Sequence, residues 1–354
     1  MDIRQSRTDR YDTLDGLRGC AAILVMMHHM SPRLADVDLL PSGYLCVDFF
    51  FMLSGFIIDR RYDGKFRAGL SFGSFMVDRL RKLYPIMACG ILLGAMSAVG
   101  QGWAILPAIV YMVAQLAFIP LSSGMMSPFP LNGVQWSLFF ELLANAAHAL
   151  ILWRQRAGFL IGVCAASILL LSIGAYQFGS LAIGDRGIHF GWGIARVISS
   201  YVLGMLMSRL ILLRRDPAAL PVDGRWVMAA LIICVGGAGL LSSAVGELAS
   251  DLLVVFGLFP FILWAGVVAQ LPSRIARMAG WMGAISYPLY ALHLPITEFV
   301  GAQPWSAAAR IALACSLTLG GAWLLSRAMI VARRPTSAYL TTSITSTAGS
   351  SLGS

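Results

Sequence analysis

LDGLRGCAAILVMMHHM, residues 14–30, is an apolar run that carries Asp15 and Arg18 near its start and His28 and His29 at its end. It is the first of eleven apolar runs, near residues 14–31, 43–58, 83–100, 103–120, 134–153, 158–178, 191–211, 226–245, 249–270, 283–301 and 308–331. Each approaches the ~20 residues that a helix needs to cross a bilayer. The composition agrees, with 58% hydrophobic and 12% charged residues in a chain of 354, where a soluble domain carries about a quarter charged. Mean hydropathy is +0.76. A soluble enzyme and a disordered chain are excluded, and the reading is an all-α, polytopic transmembrane helical bundle whose first partner is the lipid bilayer.

The net charge of +9 fits a membrane protein, because Lys and Arg gather in a few polar stretches and form no nucleic-acid patch. Cys20, Cys46, Cys89, Cys164, Cys234 and Cys315 lie inside apolar runs without a CxxC spacing, so neither a disulfide framework nor a metal site is expected. Residues 1–13 mix Asp2, Asp9 and Asp12 with Arg4, Arg7 and Arg10. The run that follows lacks a small-residue cleavage site, so it is expected to stay as a helix. The organisation expected is a cytoplasmic segment at 1–13, one membrane domain at 14–331 and a disordered tail at 332–354, rich in Ser, Thr and Gly. No internal repeat of the transporter kind is visible.

Loop charge then sets topology. Arg60, Arg61, Lys65, Arg67, Arg79, Arg81 and Lys82 crowd the stretch 59–82, which reads as a cytoplasmic loop. Basic residues also mark 154–156, 209–225, 274–277 and the end at Arg327, Arg333 and Arg334. The stretches 32–42 and 246–251 are acidic or neutral and read as external. Three runs separate the basic stretches at 59–82 and 154–156, where an even number is required. One of the three, between Tyr84 and Trp153, is therefore re-entrant or interfacial, leaving about ten full crossings with both ends cytoplasmic. The expected site is a cell membrane, the inner membrane of a bacterium.

Ionisable groups inside such runs are costly and are functional candidates by default. Arg18 and His29 are 11 positions apart, which on a helix is about 20° past three full turns and about 16 Å along the axis. The two side chains share a face, and His28 points about 100° away. An imidazole held from bulk water suits a general base for a hydroxyl or amine nucleophile. The competing reading makes Arg18 and His29 interfacial anchors at the two ends of a span.

The LDGLRG start, with an Arg, ten residues and a His, resembles the membrane acyltransferase-3 family. Further blocks agree in order: GYLCVDFFFMLSGFII at 43–58, with Asp48 and Ser54-Gly55-Phe56; RLRKLYP at 79–85; WSLFFE at 136–141; and SYPLYALHLPI at 286–296. Lys82 stands where Arg is usual, and Leu142 and Asn145 stand where a second acid and an aromatic commonly follow. The resemblance covers about residues 11–330. It implies transfer of an acyl group, commonly acetyl from cytoplasmic acetyl-CoA, to a sugar hydroxyl or similar acceptor; no permanently bound cofactor is implied.

Each block has a structural reading beside the functional one. Asp48 is a candidate substrate-binding group and a candidate partner for Arg196 or Arg18. Ser54-Gly55 reads as close packing or as a nucleophile turn. The cations at 59–82, with Arg60, Arg61, Arg79 and Lys82 foremost, read as a topology signal and as ligands for the phosphates of coenzyme A, together with Arg18. Glu141 is the single acid of its run; it either orients the catalytic imidazole or pairs with a base. Trp136, Ser137, Tyr287 and His293 are candidate substrate-binding residues. His293 also reads as a second base or a satisfied interior histidine. Pro288 and Pro295 are expected to bend their helix and free backbone groups.

Two mechanisms fit an acyltransferase: His29 deprotonates an acceptor hydroxyl that attacks the thioester, or His29 carries the acyl group itself, with Arg18 or a hydroxyl serving the oxyanion. The rival class is a transporter or carrier, for which intramembrane Asp48, Glu141 and Arg196 are equally typical. A scaffold has no need of buried Arg and His. No second catalytic domain is visible, so the chain is expected to complete acylation itself or to hand the group to a partner acyltransferase.

Overall fold

The computed structural model describes residues 11–121, 124–213 and 222–332. These form α1 (Asp12–Ala35), α2 (Cys46–Arg67), α3 (Phe72–Gly100), α4 (Ile105–Leu116), α5 (Gln135–Leu150), α6 (Ala157–Phe178), α7 (Gly193–Leu213), α8 (Gly224–Val245), α9 (Glu247–Leu252), α10 (Phe259–Val268), α11 (Ser273–Gly301) and α12 (Ala307–Ala332). A π-helical turn, Leu253–Leu258, joins α9 to α10, and tighter turns at Pro41–Leu45 and Gly187–Trp192 lead into α2 and α7. No named strand occurs among the described residues, and the bundle is all-α. Among the described residues, seven helical stretches are long and apolar enough to cross a membrane: Pro41–Arg67, Phe72–Gly100, Ala157–Phe178, Gly187–Leu210, Gly224–Val245, Glu247–Val268 and Ala307–Val331. Long α1 and α11 fall outside that set and carry the polar residues of the candidate site. Residues 1–10 of the expected segment 1–13 and residues 333–354 of the expected tail 332–354, with Arg333 and Arg334, lie outside the described residues.

One of the eleven runs behaves differently from a simple span. The run at 103–120 yields α4, whose 12 residues cover about 18 Å, well short of the ~30 Å hydrocarbon layer. Its chain turns at Phe118, in left-handed backbone with φ 57°, and Leu121 N bonds Pro128 O at 3.0 Å. Gly187 N and Ile188 N then bond Met126 O and Gly124 O, which holds the returning strand of chain against the turn before α7. Gln135 at the start of α5 donates to Gln115 O near the end of α4 at 2.7 Å, so the two helix ends lie at one level.

The stretch 59–82, read from its charge as a loop, is instead mostly helical. Residues 59–67 are the last turns of α2, 72–82 the first turns of α3, and 68–71 connect them. Ser71 caps α3 by accepting from Ser74 N at 3.2 Å, which satisfies one of the unpaired donors of a helix start. Charge marks where a helix leaves the apolar layer, not where it ends.

Two helix pairs form the frame. α1 lies parallel to α11, Gly19 beside Met282 and His29 beside His293. α2 lies parallel to α7 at close range. A Cβ at Gly55 would collide with the Tyr201 backbone, and one at Gly204 with that of Met52. Ser54-Gly55 therefore serves close helix packing through its glycine. Along the same seam Asp48 and Arg196, 0% and 2% exposed, pair at 2.7 Å.

Candidate active site

α1 presents one face to α11, and the face is the one shared by Arg18 and His29. Arg18 donates from Nε to Ser286 Oγ at 3.0 Å and from Nη2 to Gly283 O at 2.6 Å; it also pairs with Asp15 at 3.0 Å. Eleven residues on, His29 Nδ1 lies 3.1 Å from Val25 O and 3.1 Å from His293 Nε2. His28 turns elsewhere, its Nδ1 2.7 Å from Leu40 O and its ring against Tyr44.

A cavity of about 320 Å³ opens inside the bundle between α1, α2, α3, α5, α11 and α12. Arg18, Arg79, Lys82 and Glu141 bring charge to it, and Ser54, Ser137, Ser286, Tyr287 and Tyr290 bring hydroxyls. Phe50, Phe51 and Ile57 are among its apolar walls. Glu141 accepts from Arg79 Nη2 at 2.9 Å and from Ser54 Oγ at 2.9 Å. Arg79 is 8% exposed, and its buried Nε makes no hydrogen bond, an orphan donor on the cavity wall of the kind that a bound polar group satisfies. Tyr287 donates to Leu83 O, and Tyr290 shares a hydrogen bond with Ser137 Oγ, both at 2.7 Å. The Tyr290 ring then touches His293, with centroids 5.7 Å apart. The order along α11 is thus cation, hydroxyls, then two imidazoles.

Of the sequence candidates, Arg18, Arg79, Lys82, Glu141, Ser137 and Tyr287 line this cavity. His29 and His293 sit just past its Tyr290 wall. Arg60 and Arg61 are exposed on the last turns of α2, away from the lining. Trp136 is buried against Phe51 and Phe140 and carries the Arg196 guanidinium 5.3 Å from its ring centre. Asp48 is engaged by Arg196 through three hydrogen bonds of 2.7–3.1 Å, one of the two partners named for it from the sequence. Glu141 has the basic partner that was one of its two readings; the side chain at His29 Nδ1 is His293.

Sequence reasoning overlooked the buried carboxamides Gln115, Asn132 and Gln135. Asn132 Nδ2 donates to Ala291 O at 2.9 Å, the carbonyl four residues before Pro295, which that imino acid leaves without its helical donor. Proline in an apolar run, with an isolated Asn elsewhere, was the available signal. Among the described residues no group of three or more His, Cys, Asp or Glu is arranged to hold a metal ion.

The sequence profile of a family described as "Acyltransferase domain", the acyltransferase-3 type, matches residues 11–327. A protein of Rhizobium radiobacter described as "Protein 2 in picA locus" is 32% identical over 195 residues, which make up 50% of this chain and 100% of that protein. No solved structure matches.

Proposed function

The chain belongs to the acyltransferase-3 family and is a multi-pass membrane acyltransferase, and from that premise we propose that it moves an acetyl group from cytoplasmic acetyl-CoA to a hydroxyl of a carbohydrate or glycoconjugate. His29 is the base. It takes the proton of the acceptor hydroxyl as the oxygen attacks the thioester carbon; the C–S bond breaks, and His29 returns the proton to the departing thiolate, leaving an ester and free CoA. The observation that carries this reading is the placement of Arg18 and His29 on one face of α1, with a cation-lined cavity beginning at Arg18 and ending one aromatic ring from the imidazole pair. Arg18, Arg79 and Lys82 supply charge for the donor's phosphates and acyl arm, while Tyr287 and Tyr290 suit the pantetheine or a sugar.

The function is tested by adding acetyl-CoA with a labelled acetyl group to membranes containing the protein, and by comparing envelope glycans of cells with and without the gene. Ester-linked label in a glycan fraction supports the reading; label that never leaves the donor, with unchanged glycans, overturns it. Lys82→Gln is expected to raise the apparent KM for acetyl-CoA about fivefold, the ~1 kcal/mol of an exposed charge contact, and to leave that for the acceptor alone. High salt should reproduce part of this loss, since such contacts are screened beyond ~8 Å at physiological ionic strength. Unchanged donor affinity in correctly inserted protein removes the cations from the donor site.

Ten crossings with both ends in the cytoplasm of a bacterial inner membrane fit this chemistry, α4 being the segment that turns back. Parity supports it. α2 and α7 run parallel (Asp48 to Arg196, Gly55 to Tyr201, Asp59 to Arg209), as α1 and α11 do, and a full crossing by α4 would make both pairs antiparallel. Reporter fusions after Arg327 are expected to report a cytoplasmic end; an external signal there means an eleventh crossing.

A further inference from the structure

We infer that His293 is a positioning residue that holds His29 in the tautomer with its proton on Nδ1, so that Nε2 of His29 carries the lone pair that takes the acceptor's proton. The inference rests on the reading of His29 as base and deepens it. Each ring supplies its own evidence. Nδ1 of His293 faces Leu289 O at 3.3 Å, and Nδ1 of His29 faces Val25 O at 3.1 Å. A carbonyl only accepts, so in each neutral ring Nδ1 is the N–H and Nε2 the lone pair. The link between the rings agrees with both assignments: the one Nδ1–H of His29, shared with Val25 O as a three-centre bond, also meets the unprotonated Nε2 of His293 at 3.1 Å, within ordinary hydrogen-bond range. The reverse orientation requires His29 Nδ1 to present a lone pair to Val25 O.

The second imidazole is held firmly. His293 is fully buried, its ring packs against Tyr290 on the cavity wall, and Thr297 Oγ1 donates to its carbonyl at 2.6 Å. Two residues on, Pro295 opens the helix ladder at Ala291 O, and Asn132 closes it. The consequence is chemical as well as geometric. When His29 accepts the proton at Nε2, its Nδ1–H bond to His293 becomes charge-assisted and strengthens in step with the transition state. His293 thereby does for this base what a carboxylate does in other histidine-activated hydroxyl chemistry, without placing a second charge in the bundle.

The test compares His293→Gln, whose side-chain oxygen reaches about as far as Nε2 and accepts a hydrogen bond, with His293→Leu, which accepts none. Each is assayed as full-length protein in membranes, with acetyl-CoA as donor and the cells' own envelope glycans as acceptor. His293→Leu is expected to lower the rate at saturating acetyl-CoA about a hundredfold, within the range of general acid–base effects, with the apparent KM for acetyl-CoA unchanged. His293→Gln is expected to recover most of that loss. Folded protein is scored by abundance and thermal unfolding, so that a merely structural role shows as parallel loss of folded protein in both variants with a normal rate per folded molecule, which overturns the inference. If His293→Leu does not accumulate, folded His293→Gln decides alone: activity near the parent supports it, and loss as deep as in His29→Ala overturns it. Full activity in His29→Ala rejects the base itself, whereas an inactive His29→Ala beside a fully active, folded His293→Leu rejects only the role of His293.

Discussion

His29→Ala is expected to lower acyl transfer by about a thousandfold, in the middle of the range for loss of a general base, while the protein inserts and accumulates normally. Alanine is the best helix former, and beyond its ring contacts with His28 and His293 the His29 side chain makes a helix-internal contact to Val25 O and the bond to His293, so the backbone ladder of α1 is kept. His28→Ala is the control. Its ring bonds Leu40 O and rests against Tyr44, and its loss is expected to leave the rate near that of the parent. The measurement is labelled acetyl transfer per folded molecule in membranes. An active His29→Ala together with an inactive His28→Ala would show that the neighbouring imidazole is the base.

Asp48→Ala is expected to act on stability instead. Asp48 and Arg196 are both fully buried, and the guanidinium donates also to Ile183 O and Tyr44 O, each at 3.1 Å. Removing the carboxylate strands that cation along the α2–α7 seam, and breaking such a pair from one side costs about 3–5 kcal/mol. The variant should therefore unfold at much lower temperature in detergent, or fail to accumulate. Asp48→Leu combined with Arg196→Met removes both charges and is expected to recover much of the loss, because apolar groups of similar volume often replace a buried pair without penalty. Unaltered unfolding of Asp48→Ala with a raised KM for acceptor would return Asp48 to the substrate site.

These two carboxyl and imidazole positions illustrate what is legible in a linear chain. Asp48, Glu141, Arg18 and His29 announce themselves because a polar group inside an apolar run is expensive and persists only with a purpose. The shared face of Arg18 and His29 follows from helical period alone, and it is the face that α1 turns to α11. Charge near 59–82 located one end of the bundle but was misread as a loop, because helices α2 and α3 continue past the apolar layer with their cations on them. The apolar run at 103–120 could not be told from a span by composition, since backbone that turns at membrane depth is as apolar as helix; its short α4 and the left-handed Phe118 are properties of conformation.

The sequence by itself determined that the protein lives in a bilayer and marked most of its apolar helices, because a hydrocarbon solvent imposes length and polarity on each segment separately. Pairing was decided only in three dimensions. Glu141 went to Arg79 and Ser54, Asp48 to Arg196, and the nitrogen of His29 to a histidine 264 residues away. The physical reason is that a buried polar group must find a partner somewhere, but which one it meets depends on how closely helices approach. At Gly19, Gly55 and Gly204 that distance is set by the absence of a side chain on one helix and the backbone or side chain of another, a relation between segments that neither segment contains.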